Sequence, residues 1–368
     1  MMTLQLLLLL GEFETTPAQR PTATNGSESF RAIQVVAPTP VQDTTAEKML
    51  VFQRAVGGWP KAVGAQKVDY RHPLAAAERA STLADKNRSD ATIDNNATTR
   101  EIIYLAGAFQ KTTNPAYRQA AENGVRYLLK MQYANGGFPQ YYPDFSLYRH
   151  QITYNDNAMI RALEVLRGVA ARTRPYAGLD AALVPLAQAA VERGIGCILK
   201  TQYVRNGHPT AWCAQHDEKT LLPAKARAFE LASLSGDESV DIVRFLMSVD
   251  RPTPAVKTAI ECAVGWFQKV KLSGYIVREV TAPGSSKVLD RVVTPEAGAT
   301  IWARFYELAT DRPIYVGRDS QAHYSLAEIE IERRAGYLYA GTWPAKLLNQ
   351  DYPAWLRRVN SAAGEAKK

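Results

Sequence analysis

The sequence predicts an all-α fold, an (α/α) toroid of antiparallel helix pairs with long loops and a few short strands. Three observations predict it: a glycine turn that recurs along the chain, helical apolar spacing ahead of the copies, and a second repeat at the start of the helices that follow. The first element reads Gln53-Arg-Ala-Val-Gly-Gly-Trp-Pro-Lys61, Gln132-Tyr-Ala-Asn-Gly-Gly-Phe-Pro-Gln140 and Gln202-Tyr-Val-Arg-Asn-Gly-His-Pro209. Each copy carries a Gln, a Gly turn and a following Pro. They recur at about 70 to 80 residues, the length of one helix pair with its loops. A fainter fourth copy is Gly341-Thr342-Trp343-Pro344. Ahead of the second copy, Tyr117, Ala121, Gly124, Val125, Leu128 and Met131 fall at helical spacing.

The second repeat aligns Asp94-Asn95-Asn96-Ala97 with Asn155-Asp156-Asn157-Ala158, each leading into a helical pattern. Ile102, Leu105, Ala106 and Phe109 follow the first; Ala162, Leu163, Leu166, Val169 and Ala170 follow the second. Acidic and amide side chains at these starts suit a helix dipole and an N-cap. Further helices are expected over Leu183 to Lys200, Val256 to Phe267 and, more briefly, Val240 to Met247. Strand alternation is confined to stretches such as Tyr275 to Val280 and Lys287 to Val293. An open α-solenoid usually has shorter and more uniform repeats. One catalytic domain is expected over 25–360, with a tail or signal remnant at 1–24 and a flexible tail at 361–368. The apolar run Leu6 to Leu10 is far too short to span a membrane.

Forty-four Lys and Arg against 36 Asp and Glu leave a net charge of +8. Concentrated in one groove, that charge attracts an acidic partner; spread out, it is a solvated surface. Basic runs are no longer than pairs such as Arg333-Arg334 and Lys367-Lys368, which argues against nucleic acid. Cys197, Cys213 and Cys262 show no metal spacing and allow at most one disulfide.

Four groups of residues carry candidate chemistry. Trp59 and Phe138 in the glycine turns either stack on sugar faces or plug the helix pairs, and Lys61 adds a cation suited to a uronate. Asp94 and Asp156, flanked by Asn95, Asn96, Asn155 and Asn157, offer hard oxygen ligands suited to Ca²⁺. The same residues serve equally as N-caps or as an acid and base pair of the glycosidase kind. In Pro223 to Leu231, Lys225, Arg227 and Glu230 fall on or near one helical face, after a polar loop in which His216 is a candidate base. Arg304 and Arg318, near aromatics and a Gly turn, suit bidentate contacts with carboxylates.

Seven ordered motifs resemble the pectate lyases of polysaccharide lyase family 10: Gly-Gly-Trp-Pro-Lys (57–61), Asp-Asn-Asn-Ala-Thr (94–98), Gly-Gly-Phe-Pro-Gln (136–140), Tyr-Asn-Asp-Asn-Ala-Met (154–159), Trp-Cys-Ala-Gln-His-Asp (212–217), Arg-Ala-Phe-Glu-Leu (227–231) and Gly-Arg-Asp (317–319). The resemblance covers roughly residues 45 to 350. It implies an (α/α) toroid and Ca²⁺-assisted anti-β-elimination on polygalacturonate; a polymer too large to enter a cell argues for a secreted, bacterial-type enzyme, expected as a monomer that engages neither nucleic acid nor membrane. The resemblance further implies Arg227 as the base that takes the C5 proton, and Asp94 and Asp156 at the Ca²⁺ and substrate. Asn95 becomes a substrate-contacting amide, and Lys61, Arg304 and Arg318 bind uronate carboxylates. Phe229 and Ala232 stand where relatives are expected to carry Tyr and Pro. Arg is effectively always protonated in proteins, so an Arg base needs surroundings that depress its pKa; failing that, His216 or a metal-bound hydroxide is the alternative. An inverting glycoside hydrolase on the same toroid and a non-catalytic polyuronate-binding protein are the rival expectations.

Overall fold

Helix starts follow their caps in the computed structural model, which describes residues 41–365. Asp43 accepts from the backbone N–H groups of Thr45 and Ala46 at 2.9 Å, heading α1 (Thr44–Phe52). A short α2 (Ala76–Ala84) precedes three packed pairs: α3 (Thr99–Thr112) with α4 (Pro115–Met131), α5 (Ala158–Ala170) with α6 (Leu183–Thr201), and α7 (Glu238–Met247) with α8 (Pro254–Val270). Asn114 and Thr253 cap α4 and α8, each of which opens on a Pro whose missing N–H costs nothing there.

The repeated Gln explains how the pairs form a row. Gln53, Gln132 and Gln202 are the C-caps of α1, α4 and α6. Each side-chain amide donates to a carbonyl of its own turn: Gly57 at 2.8 Å, Gly136 at 3.0 Å and Thr210 at 2.9 Å. Each also donates to the next helix in the row: Ala120 of α4, Ala190 of α6 and Ala259 of α8, at 2.8 to 2.9 Å. The glycines let the turn approach that helix. At Gly136 (φ 94°) an added Cβ would lie 2.0 Å from the Arg193 carbonyl oxygen of α6, and at Gly57 (φ 103°) 2.5 Å from that of Asn123 in α4. Only glycine combines that φ with that contact.

Trp59 and Phe138 are fully buried, so they are the plugs of their helix pairs and no sugar reaches them. The indole N–H of Trp59 donates to the Met49 carbonyl of α1, and that of Trp212 to Ile198 of α6, both at 2.7 Å. Each is a second donor to a carbonyl that the C-cap N–H of Gln53 or Gln202 also reaches, at 3.2 Å. The fourth sequence copy behaves differently. Trp343 begins a short helix, α10 (Trp343–Lys346), after α9 (Ile331–Gly336), instead of closing one.

The architecture is the expected all-α toroid of helix pairs, with a few antiparallel strands. The expected strand alternation forms a long hairpin, Leu272–Thr281 with Val288–Ala303, to which Ala340–Gly341 adds a third strand. A four-stranded sheet runs in the order Ala322–His323, Pro313–Val316, Phe305–Tyr306, Leu234–Ser235. One large core joins the helices, and a smaller one, including Phe305, Ile314, Tyr315 and Tyr339, lies under the sheet. All three cysteines are free. The last helix, α11 (Tyr352–Glu365), runs past position 361, where a tail was expected, and the 1–24 segment lies outside the described residues.

Candidate functional site

Two strained turns form the floor of the site. Asp94–Asn96 and Asn155–Asn157 are single turns of 3₁₀ helix that contact one another ahead of α3 and α5. Asn95 (φ 50°) matches Asp156 (φ 52°), and Asn96 (φ 66°) matches Asn157 (φ 59°). Asn and Asp tolerate this left-handed region better than other side chains, which explains their run here. The backbone therefore pairs Asp156 with Asn95, one place on from Asp94. Thr98, also at positive φ (67°), hooks the first turn onto the glycine element: its Oγ1 accepts from the Trp59 N–H at 2.9 Å and donates to the Thr92 carbonyl at 2.8 Å. Neither aspartate caps a helix, so capping does not explain them.

Charge is distributed unequally between the two carboxylates. Lys61 Nζ pairs with Asp94, which is almost fully buried, and Asn95 Nδ2 lies 3.2 Å from the other Asp94 oxygen. Asp156 accepts from Asn155 Nδ2 at 3.1 Å and makes no ion pair among the described residues. Burial raises its pKa, and the charges of Asp94 and Glu238 raise it further. Arg304 opposes these charges only in part, and a cation beside the carboxylate would favour its ionised form. The oxygen donors fit Ca²⁺, with one restriction: no group of three or more His, Cys, Asp or Glu side chains converges on a metal position among the described residues. Ca²⁺ takes six to eight oxygens, so this chain's two carboxylates would leave most of the shell to amides, water and the ligand's own oxygens.

At the head of α7, Asp237 and Glu238 extend the acidic floor. Arg304 Nη1 lies 2.8 Å from Asp237, and its Nη2 pairs with Glu238. Burial and the neighbouring Glu238 push the Asp237 carboxyl up to about 7. Sequence reasoning missed both acids. Their signal was positional: Gly236-Asp237-Glu238-Ser239 opens α7 as the Asp/Asn turns open α3 and α5, and Ser239 Oγ accepts from the Trp212 N–H at 3.0 Å as Thr98 does from Trp59.

The segment around Arg227 is a turn, not the helical face the spacing allowed. Ala226 N–H donates forward to the Glu230 carbonyl at 3.0 Å, the reverse of the helical direction, and Ala224 N–H donates to the strand residue Gln215 at 3.0 Å, so the donors a helix would use go elsewhere. The expected Arg227 and Glu230 ion pair is present and bidentate, with Nε at 2.7 Å. This contact, ahead of the Glu230 and Tyr148 charges, drives the Arg227 pKa above its ordinary value despite partial burial. The Arg227 guanidinium lies 4.8 Å from the Phe229 ring centroid; Arg333 and Arg318 approach the same ring at 3.8 and 5.6 Å. Tyr148, whose hydroxyl is held protonated mainly by burial, senses Arg227, Glu230, Asp94 and Lys61 together. Ala226 and Glu230 of the Arg227 turn line one small cavity with Asn155, which sets this turn beside the acidic floor.

The predicted residues thus separate by role. Lys61, Asp94, Asp156, Asn95 and Arg227 share the site, and Asn95 is exposed. Arg304 is buried and committed to Asp237 and Glu238, which removes it from direct grip on a carboxylate. Arg318 is exposed and paired with Glu332 at 2.7 Å, joined to Arg227 through Phe229. His216 is not a base. It is fully buried, its Nδ1 lies 3.0 Å from the Leu221 carbonyl, and its ring meets Tyr154 edge-on.

Burial lowers the His216 pKa to about 4, which makes it a stability sensor. The folded chain keeps it neutral while the unfolded chain protonates it below its ordinary 6.5. Its contribution is therefore complete above pH 6.5 and is lost as pH falls toward 4, by up to about 3 kcal/mol. Denaturation midpoints measured from pH 7 to 4 should fall less steeply in His216→Gln than in the wild type; parallel slopes would contradict this assignment.

Comparison with known proteins gives the same picture. A family model described as pectic acid lyase matches residues 53–348. The structure of a family 10 polysaccharide lyase from Cellvibrio cellulosa is similar at 34% identity and a TM-score of 0.73, covering 83% of this chain and 90% of that one. A mutant of that lyase in complex with trigalacturonic acid gives the same figures. No curated protein matches.

Proposed function

This chain belongs to the pectic acid lyase family and is a polysaccharide lyase, and we propose that it cleaves polygalacturonate by Ca²⁺-assisted anti-β-elimination to 4,5-unsaturated oligogalacturonides. The observation that carries this reading is the meeting of two carboxylates on contacting turns, Asp94 paired with Lys61 and Asp156 with no ion-pair partner among the described residues. An acidic floor alone repels a polyuronate. A bound divalent cation would offset that repulsion.

In this reading Asp94 and Asp156 would hold Ca²⁺, which would supply Lewis-acid stabilisation of charge on the uronate carboxylate. Lys61 and Arg318 neutralise carboxylates along the groove, and Asn95 donates to the sugar from its exposed turn. Arg304 acts behind the floor as the countercharge of Asp237 and Glu238. Arg227, after giving up a guanidinium proton to hydroxide at alkaline pH against the pull of Glu230, takes the C5 proton. The C5–H electrons form the C4–C5 double bond, the C4–O4 bond breaks, and its electron pair leaves on O4, which gains a proton from water. A hydrolase using the same two acids is set aside by the family. Because the substrate is a polymer, the enzyme is proposed to act outside the cytoplasm; no described helix is long and apolar enough to cross a membrane.

Ultraviolet absorbance of the conjugated enoate tests the proposal. Polygalacturonate with Ca²⁺ at alkaline pH should give a steady rise that a chelator stops and added Ca²⁺ restores. No rise under those conditions would overturn the activity, and a rise indifferent to chelator would overturn the metal.

A further inference from the structure

A cleft of about 460 Å³ shares Lys61 with the site but has no part in the reaction described above. Its walls include Lys61, Arg88, Tyr141 and Arg149, with Asp90 and Asp144. Both acids are already neutralised. Asp90 takes two hydrogen bonds from buried Arg54, at 2.6 and 2.9 Å, and Asp144 pairs with Arg149 Nη1. The cations keep donors in reserve. Among the described residues Arg149 bonds oxygen through Nη1 alone, and half-exposed Arg88 reaches Asp85 through Nη1 at 3.1 Å and Asp90 through Nε at 3.5 Å, which leaves its Nη2 uncommitted.

Tyr141 joins these cations into one surface: the Arg149 guanidinium lies 4.6 Å and Lys61 Nζ 5.9 Å from its ring centroid. The volume is within the range of clefts that hold small ligands, and an anionic pyranose matches both the aromatic face and the free guanidinium donors. Continuity with the reacting centre comes from Lys61, which lines the cleft and also pairs with Asp94 of the acidic floor.

We propose that this cleft is a subsite for a further uronate unit of the polymer, with Arg149 and Arg88 binding its carboxylate and Tyr141 bearing its ring. The assignment rests on the lyase reading above and adds where a longer chain gains affinity. It makes the enzyme's preference for long substrates depend on two arginines remote from proton transfer.

Oligogalacturonates of increasing length, from trigalacturonate upward, test it through kcat/KM for the wild type, Arg149→Gln and Arg88→Gln. Wild-type kcat/KM should climb with length until the cleft is filled. Each variant should match the wild type on the trimer and lose about tenfold on longer chains, the worth of one charge-assisted hydrogen bond. Arg149→Lys should recover part of that loss. An equal loss at every length, or none at any, would overturn the subsite. Absence of unsaturated product from the wild type at all lengths would instead overturn the lyase reading on which it rests.

Discussion

Arg227→Ala is expected to lower kcat on polygalacturonate by about 10³-fold and to lower the denaturation midpoint modestly, since buried Glu230 loses its bidentate partner. The side chain is 44% exposed and sits on a surface turn, so its removal opens no cavity in the core. The more informative variant is Glu230→Gln. A base at Arg227 works only after losing its proton, and Glu230 opposes that loss by hydrogen bond and by charge. Removing the carboxylate should therefore shift the rising limb of kcat/KM against pH to lower pH. If Arg227 serves only as a fixed positive charge, Glu230→Gln should reduce the rate through lost positioning and leave the limb in place. Arg227→Lys separates the same cases. Its amine deprotonates more readily than a guanidinium, so a retained low activity with a limb at lower pH marks proton abstraction, and retained activity with no shift marks electrostatics.

That question arises from the structure, because sequence identified Arg227 without revealing its partner's grip. Residue types and spacing made the Arg227 and Glu230 pair visible, but not the turn that holds it, since Gln215 and Gln151 reach that turn from distant segments. Local pattern succeeded where local physics decides. The ends of α1, α4 and α6 were legible because a positive-φ glycine and a Gln cap recur there. What the Gln does was not, because its second acceptor lies on the next helix, 57 to 67 residues away. Trp59 and Phe138 were ambiguous for a similar reason: burial belongs to the assembled ring, and an aromatic beside a flexible turn has the same sequence whether it faces the core or the groove. Asp94 and Asp156 stood out because Asn flanks them. Asp237 and Glu238 lack that flank, so they passed as an ordinary acidic helix start although they share the floor.

Gly136→Ala should be the most damaging single-methyl change in the repeat, costing about 3 to 5 kcal/mol by combining left-handed strain with overpacking against backbone. The Cβ would meet the Arg193 carbonyl at 2.0 Å, and that carbonyl belongs to α6, which cannot retreat while Gln132 is bonded to Ala190 on the same helix. The three copies supply an internal control. Gly57→Ala meets Asn123 at 2.5 Å and should cost slightly less, whereas Gly207, at φ 78°, has nothing within 4 Å of an added Cβ. Gly207→Ala should therefore cost only the backbone strain, about 1 to 2 kcal/mol. Denaturant midpoints should rank the variants Gly136, Gly57, Gly207 from most to least destabilised, and an equal loss in all three would show that φ alone governs the turn. Activity should follow a different rule. The Phe138 carbonyl accepts from the Thr153 N–H at 3.0 Å, and Ile152–Thr153 leads directly into the turn that carries Asp156. Displacing the second glycine element thus moves a proposed Ca²⁺ ligand. Gly136→Ala protein that remains folded at low temperature should need more Ca²⁺ for half-maximal rate, and Gly207→Ala should not.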